Sequence, residues 1–150
     1  MSEFVVPDWI SDHLDLYQST DGKEGHIWQG VTTLLLKTTG RKSGAERLMP
    51  LIYGGVELEE GHSGFVIIAS KGGHAAHPAW YLNLQAQPQV KIQVATDKYL
   101  ATASTVEDQR RADYWQLMTT IWPDYEKYQA ATDRHIPVVL LTPDQKIDQI

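Results

Sequence analysis

The segment TTLLLKTTGRKSGAERLMPLIY, residues 32–53, constrains this chain more than any other. It holds two apolar runs, residues 31–39 and 47–53, each the length of a strand and shorter than most helices. Gly40 and Gly44 bracket the connection between them, and glycine takes positive φ with no Cβ to clash. The pattern predicts a β-hairpin turned by residues 40–44.

Charge sets this hairpin apart. The chain has 13 Lys and Arg against 19 Asp and Glu, a net charge of −6. Yet Lys37, Arg41, Lys42 and Arg47 fall within the hairpin, opposed only by Glu46. Ser43 and the turn amides add hydrogen-bond donors. A concave turn of N–H groups flanked by Arg and Lys suits an anion. Charge alone leaves a solvated basic turn equally open.

A chain of 150 residues is expected to form one domain, residues 1–150, and is long enough to build a core without staples. With no cysteine there is no disulfide, thiolate nucleophile or Cys-bound zinc. No apolar run reaches the ~20 residues of a membrane span. The first 17 residues lack the basic start and apolar run of a signal peptide, so the expected location is the cytoplasm. The acidic balance argues against general nucleic-acid binding.

Residues 7–19 are expected to form a helix entered at Pro7, with Trp9, Ile10, His13, Leu14 and Tyr17 at helical spacing. Residues 20–30 read as a loop, and residues 54–63 as a polar turn. GFVIIAS, residues 64–70, reads as a strand buried on both faces. Ser70-Lys71-Gly72-Gly73 at its end is a second candidate ligand loop. A short helix follows from Pro78, then two strands at residues 89–96 and 99–106.

Thr105 and Asp108 have capping-box spacing ahead of a helix that ends near Ile121. Its expected buried stripe is Ala112, Trp115, Met118 and Trp122, with Arg110, Arg111 and Asp113 in water. A shorter helix carries Tyr125 and Tyr128. The last strand covers residues 136–142, and Pro137 places that end at a sheet edge. The expected class is α+β, mainly β: a small six-stranded antiparallel barrel with peripheral helices. No GxGxxG or Walker sequence is present, nor a GxSxG elbow. His74 and His77 lack further ligands nearby, and no metal site is expected.

TTGRKSGAER…PLIY, ASKGGHAAHPAWYLNLQAQPQV and WPDYEKYQAATDRHIPVVLLTP, in that order, resemble the deazaflavin-dependent nitroreductase family. The resemblance covers residues 32–143. It implies a split β-barrel like that of flavin-binding proteins, coenzyme F420, and hydride transfer from its reduced form to an enone, quinone or nitro compound. By resemblance, Arg41, Lys42, Ser43 and Arg47 would hold the coenzyme's phosphate and the start of its acidic tail. Pro50 and Leu51 would lie beside the ring system. Ala69, Ser70 and Lys71 form a second contact segment, and Ala79, Trp80 and Asn83 a third. Trp122, Tyr125 and Tyr128 would line the substrate pocket. Tyr125 would orient substrate or donate a proton, and Ser70 would polarise the acceptor. Trp122 stands where nitro-reducing members carry tyrosine, which weighs against nitroimidazole reduction. Two other readings stay open: FMN in the same fold, and a non-catalytic carrier of the deazaflavin or another amphipathic ligand. Proteins of the wider class often form homodimers.

Overall fold

The computed structural model describes residues 8–150. The expected helix start at Pro7 lies outside these residues. Helix α1 (Asp8–Ser19) leads into β1 (Ile27–Trp28), β2 (Val31–Thr39), β3 (Glu46–Ile52), β4 (Gly54–Glu57) and β5 (Ser63–Ile68). Then come α2 (Ala79–Ala86), β6 (Gln89–Val94), β7 (Asp97–Thr105), α3 (Arg110–Ile121), α4 (Asp124–Ala130) and β8 (Val138–Lys146). The strands form an antiparallel sheet in the order β1-β2-β6-β7-β8-β5-β4, with β3 also paired to β2. The sheet curls into a half-barrel.

The hairpin forms as its sequence predicts. Thr39 pairs with Glu46, and the ladder runs back to Thr33 opposite Ile52. The turn closes through Gly40 N–H to Ala45 O at 2.7 Å and Gly44 N–H to Gly40 O at 2.9 Å. Gly44 has φ 74°, the backbone state that favours glycine.

Among the described residues eight strands replace the expected six. β1 is two residues long and sits inside the expected loop. β4 occupies the start of the expected polar turn, where Gly54 and Gly55 pair with Val66 and Phe65. A Cβ on Gly54 would lie 2.9 Å from the Met118 sulfur, so close packing of α3, rather than turn chemistry, requires this glycine. β8 is central, flanked by β5 and β7, rather than at an edge. Pro137 precedes the strand, and its carbonyl accepts Ala69 N–H at 3.0 Å. A proline just ahead of a ladder removes no donor from it.

One core gathers Leu34, Leu36, Ile67, Val90, Ile92, Val139 and Leu141 with Trp80, Tyr81 and Leu84 of α2. A second joins Val66, Ile68, Val138 and Leu140 to Met118 and Tyr125. Of the expected α3 stripe only Met118 is buried, and Ala112 is exposed. The Asp108 carboxylate accepts Arg110 N–H at 2.9 Å, so Asp108 caps α3 without the Thr105 box. Arg111 is half-buried and donates to Ile136 O at 2.6 Å.

Tyr17 docks α1. It is fully buried, its hydroxyl lies 3.0 Å from Thr33 O and 3.2 Å from Gln93 O, and it accepts Ala95 N–H at 2.7 Å. Gln93, expected on the exposed face of its strand, is buried beneath this contact. Among the described residues no helix is long and apolar enough to cross a membrane.

Candidate functional site

A cleft of about 840 Å³ opens between the hairpin turn, the loop after β5, the start of α2, and the α1 and α4 side of the sheet. That volume fits a medium-sized organic ligand. Chain segments from Trp9 to Tyr128 meet there.

The hairpin supplies one end. Arg41, Lys42, Ser43 and Arg47 line it and are exposed. Glu46 is engaged by Lys37 at 2.8 Å. Among the described residues Arg41, Lys42 and Arg47 form no ion pair. The Ser43 oxygen accepts Ala45 N–H at 3.2 Å, which leaves its own proton to donate. Arg41 gives its backbone N–H (3.2 Å) and a guanidinium N–H (3.1 Å) to the side-chain oxygen of Asn83. Asn83 is buried and donates to Thr38 Oγ1 at 3.2 Å. It ties α2 to the hairpin and fixes the basic turn over the cleft.

The floor comes from Leu48, Met49, Pro50, Leu51 and Ile52 of β3. Ser70, Lys71 and Gly72 form one wall, Ala79 and Trp80 another. Trp80 faces both ways, packing in the core while its edge meets the cleft. Ala69 is not on the wall. It is fully buried, its N–H bonds to Pro137 O, and its carbonyl accepts from Arg134 at 3.0 Å.

The opposite end is aromatic. Trp122, Tyr125 and Tyr128 meet there, the two tyrosine rings 6.0 Å apart and edge to face. The Trp122 indole N–H reaches the Tyr128 oxygen at 3.4 Å. Trp9, His13 and Trp28 complete this end, and the sequence assigned none of them to a site. Trp28 lies 5.7 Å from Trp9, 6.1 Å from His13 and 5.9 Å from Trp122, centroid to centroid. The period of α1 carried a signal for Trp9, but Trp28 sits in a loop-like stretch with none.

Tyr125 is buried except where it meets the cleft. Burial pushes its phenol well above the usual tyrosine range, and Tyr128 adds to the shift. Among the described residues its hydroxyl has no hydrogen-bond partner. It stays protonated at any ordinary pH, with a donor free for a ligand.

His77 Nδ1 accepts a guanidinium N–H of Arg134 at 3.0 Å. Burial and this guanidinium lower its pKa. Among the described residues no three His, Asp or Glu side chains are grouped to hold a metal.

One ligand of matching shape would be anionic at one end and a flat apolar ring at the other. Residues 9–143 match the F420H(2)-dependent quinone reductase family. The chain belongs to that family. An F420H(2)-dependent quinone reductase of Mycobacterium tuberculosis H37Rv is 39% identical over 134 residues, 87% of each chain. A second protein of that strain, a putative F420H(2)-dependent quinone reductase, is 34% identical over 113 residues, 75% of this chain and 91% of its own. Among solved structures, an F420-H2 dependent reductase, FDR-A, superposes with a TM-score of 0.63 at 38% identity, over 73% of this chain and 92% of that one. Another, described as a domain-swapped dimer, gives 0.67 at 34% identity, over 89% and 97%.

The family makes this chain an oxidoreductase that uses coenzyme F420, with hydride transfer from the reduced coenzyme to a quinone-like acceptor. The FMN and carrier readings give way to it. The residues present fit the group. Among the described residues three cations without an ion pair and a donor turn suit an acidic tail, and the apolar floor suits a planar ring.

Proposed function

We propose that the chain reduces quinones of naphthoquinone size in the cleft between the basic turn and the three indoles. The observation that carries this reading is the polarity of one continuous cleft, cationic at the turn and aromatic at Trp28 and Trp122. The coenzyme, when bound, supplies a hydride. The chain supplies position, exclusion of water and hydrogen bonds.

Arg41, Lys42, Ser43 and Arg47 hold the phosphate and acidic tail. Pro50 and Leu51 support the ring, with Ser70, Lys71, Ala79 and Trp80 around its rim. Asn83 acts by holding the Arg41 turn, because its oxygen is committed there. The acceptor stacks against Trp28 and Trp122. A quinone takes up one hydride and one proton and becomes a hydroquinone. Tyr125, whose burial makes it a weak acid, donates a hydrogen bond to the acceptor oxygen rather than releasing its proton. Water supplies the proton, and Ser70 is the second donor to the acceptor.

The chain is proposed to work as a single split-barrel domain, and as a homodimer. The dimer rests on the domain-swapped relative.

The test is oxidation of reduced F420 by a panel of equal-concentration acceptors: 1,4-naphthoquinone, a cyclic enone and a nitroimidazole. Naphthoquinone is expected to give the highest kcat/KM, and Trp28→Ala to raise its KM. A nitroimidazole preferred over naphthoquinone would overturn the acceptor assignment.

A further inference from the structure

Arg134 lies in the connection between α4 and β8, outside the cleft lining. Among the described residues it has no carboxylate partner. Its guanidinium is spent on one loop instead. Nη1 donates to Ala69 O at 3.0 Å, Nη2 to Ser70 O at 2.7 Å, and Nε to His74 O at 3.1 Å. Nη1 is also 3.0 Å from His77 Nδ1. The planar fork of arginine fixes several carbonyls at once, which a lysine cannot do.

A trans peptide points its C=O and the following N–H in opposite directions. Carbonyls 69 and 70 are drawn down onto Arg134, so the N–H groups of Ser70 and Lys71 point the other way. Ala69 N–H bonds to Pro137 on the β8 side, and strand alternation likewise turns Ser70 N–H away from β8. Among the described residues neither amide has a hydrogen-bond partner, although both residues line the cleft. The next three residues, Lys71, Gly72 and Gly73, have φ of 45°, 61° and 83°. A lysine in that region is held there by its surroundings.

We propose that Arg134 is a positioning residue that aims the Ser70 and Lys71 amides into the cleft as a donor pair for a carbonyl oxygen of the coenzyme ring. This rests on the coenzyme lying in the cleft as proposed above. Donors preset toward an oxygen that gains or loses negative charge need no rearrangement when the charge shifts. Arg134 also joins the loop to His77 and thus to the start of α2, so two coenzyme-facing walls share one anchor.

The test follows the backbone amides of an isotope-labelled chain by NMR during titration with oxidised coenzyme F420. In the wild type the Ser70 and Lys71 resonances move to saturation. In Arg134→Lys, folded by circular dichroism, their movement is lost and the coenzyme Kd rises about tenfold, the scale of one or two charge-independent hydrogen bonds. Guanidinium ion added to Arg134→Ala restores binding in part. Arg111→Lys, which alters another arginine bonded to a backbone carbonyl in the same region, leaves Kd unchanged.

A lower Tm for Arg134→Lys with wild-type Kd and wild-type amide movement would mean that the residue only stabilises the fold, and the proposal would fail. If the arginine variants do not fold, the wild-type titration still decides: unmoved Ser70 and Lys71 amides at saturation overturn it. The double variant Arg41→Ala/Lys42→Ala separates the two layers. Unchanged affinity there refutes the coenzyme placement itself, whereas weakened affinity there with wild-type binding in Arg134→Lys refutes only the role of Arg134.

Discussion

Tyr17→Phe should loosen α1 and, with it, the Trp9 and His13 side of the cleft. The tyrosine hydroxyl contacts two carbonyls and accepts Ala95 N–H, all at 3.2 Å or less. Phenylalanine keeps the ring and its packing, so the loss is polar. A buried N–H left without an acceptor costs about 1–3 kcal/mol, and each lost neutral hydrogen bond about 1 kcal/mol. The sum is about 2–4 kcal/mol, which for a domain of this size lowers Tm by roughly 5–15 °C. Alkaline pH supplies an independent signature. Burial pushes the Tyr17 phenol up from 10.0 to about 12. Both states are neutral below pH 10. Between pH 10 and 12 the unfolded chain ionises at this position while the folded chain does not, so folding stability falls as pH rises. Two pKa units correspond to about 2.7 kcal/mol. Thermal and urea unfolding at pH 8 to 11.5 should show a shallower alkaline loss in Tyr17→Phe than in the wild type. The variant's KM for quinone should rise more than its coenzyme Kd. An unchanged Tm, or an alkaline limb as steep as the wild type's, would refute the reasoning.

Three other variants probe the cleft and the loop beside it. Arg41→Ala with Lys42→Ala should raise the coenzyme Kd by roughly 10- to 100-fold, from two exposed charge-assisted contacts, and leave Tm within about 2 °C; fluorescence titration at low and high salt checks it, the difference shrinking with salt. Tyr125→Phe should lower kcat by about tenfold, one hydrogen bond's worth, with coenzyme Kd unchanged. The wild-type kcat should not fall between pH 7 and 10 through this residue, because burial holds its proton on. Gly73→Ala places a Cβ 2.7 Å from Tyr128 O at a φ of 83°, so it should lower both Tm and coenzyme affinity, read by calorimetry and titration.

The hairpin was legible because two strand-length runs and two bracketing glycines say the same thing. The basic turn was legible because its cations stand out against an acidic chain. β4 was not, since Gly54-Gly55-Val56-Glu57 has turn composition and becomes a strand only by pairing with β5 and lying under α3. The central place of β8 was hidden because proline at its entrance looks the same ahead of an edge or a buried strand. Trp28 could not be assigned, since its role arises from α1 and the α3–α4 corner meeting it in space. Arg134 was visible only as a charge before an apolar run. Its function lies in the carbonyls of a loop more than sixty residues earlier, and no local pattern encodes them.

The most direct test is a single-turnover experiment. Purified protein is loaded with reduced coenzyme F420, mixed with 1,4-naphthoquinone, and the return of the oxidised deazaflavin absorbance is followed. The account predicts enzyme-dependent reoxidation that saturates with quinone, with hydroquinone formed one for one, and slows in the Arg41→Ala/Lys42→Ala variant at limiting coenzyme. Reoxidation no faster than without protein, despite tight coenzyme binding, would contradict it.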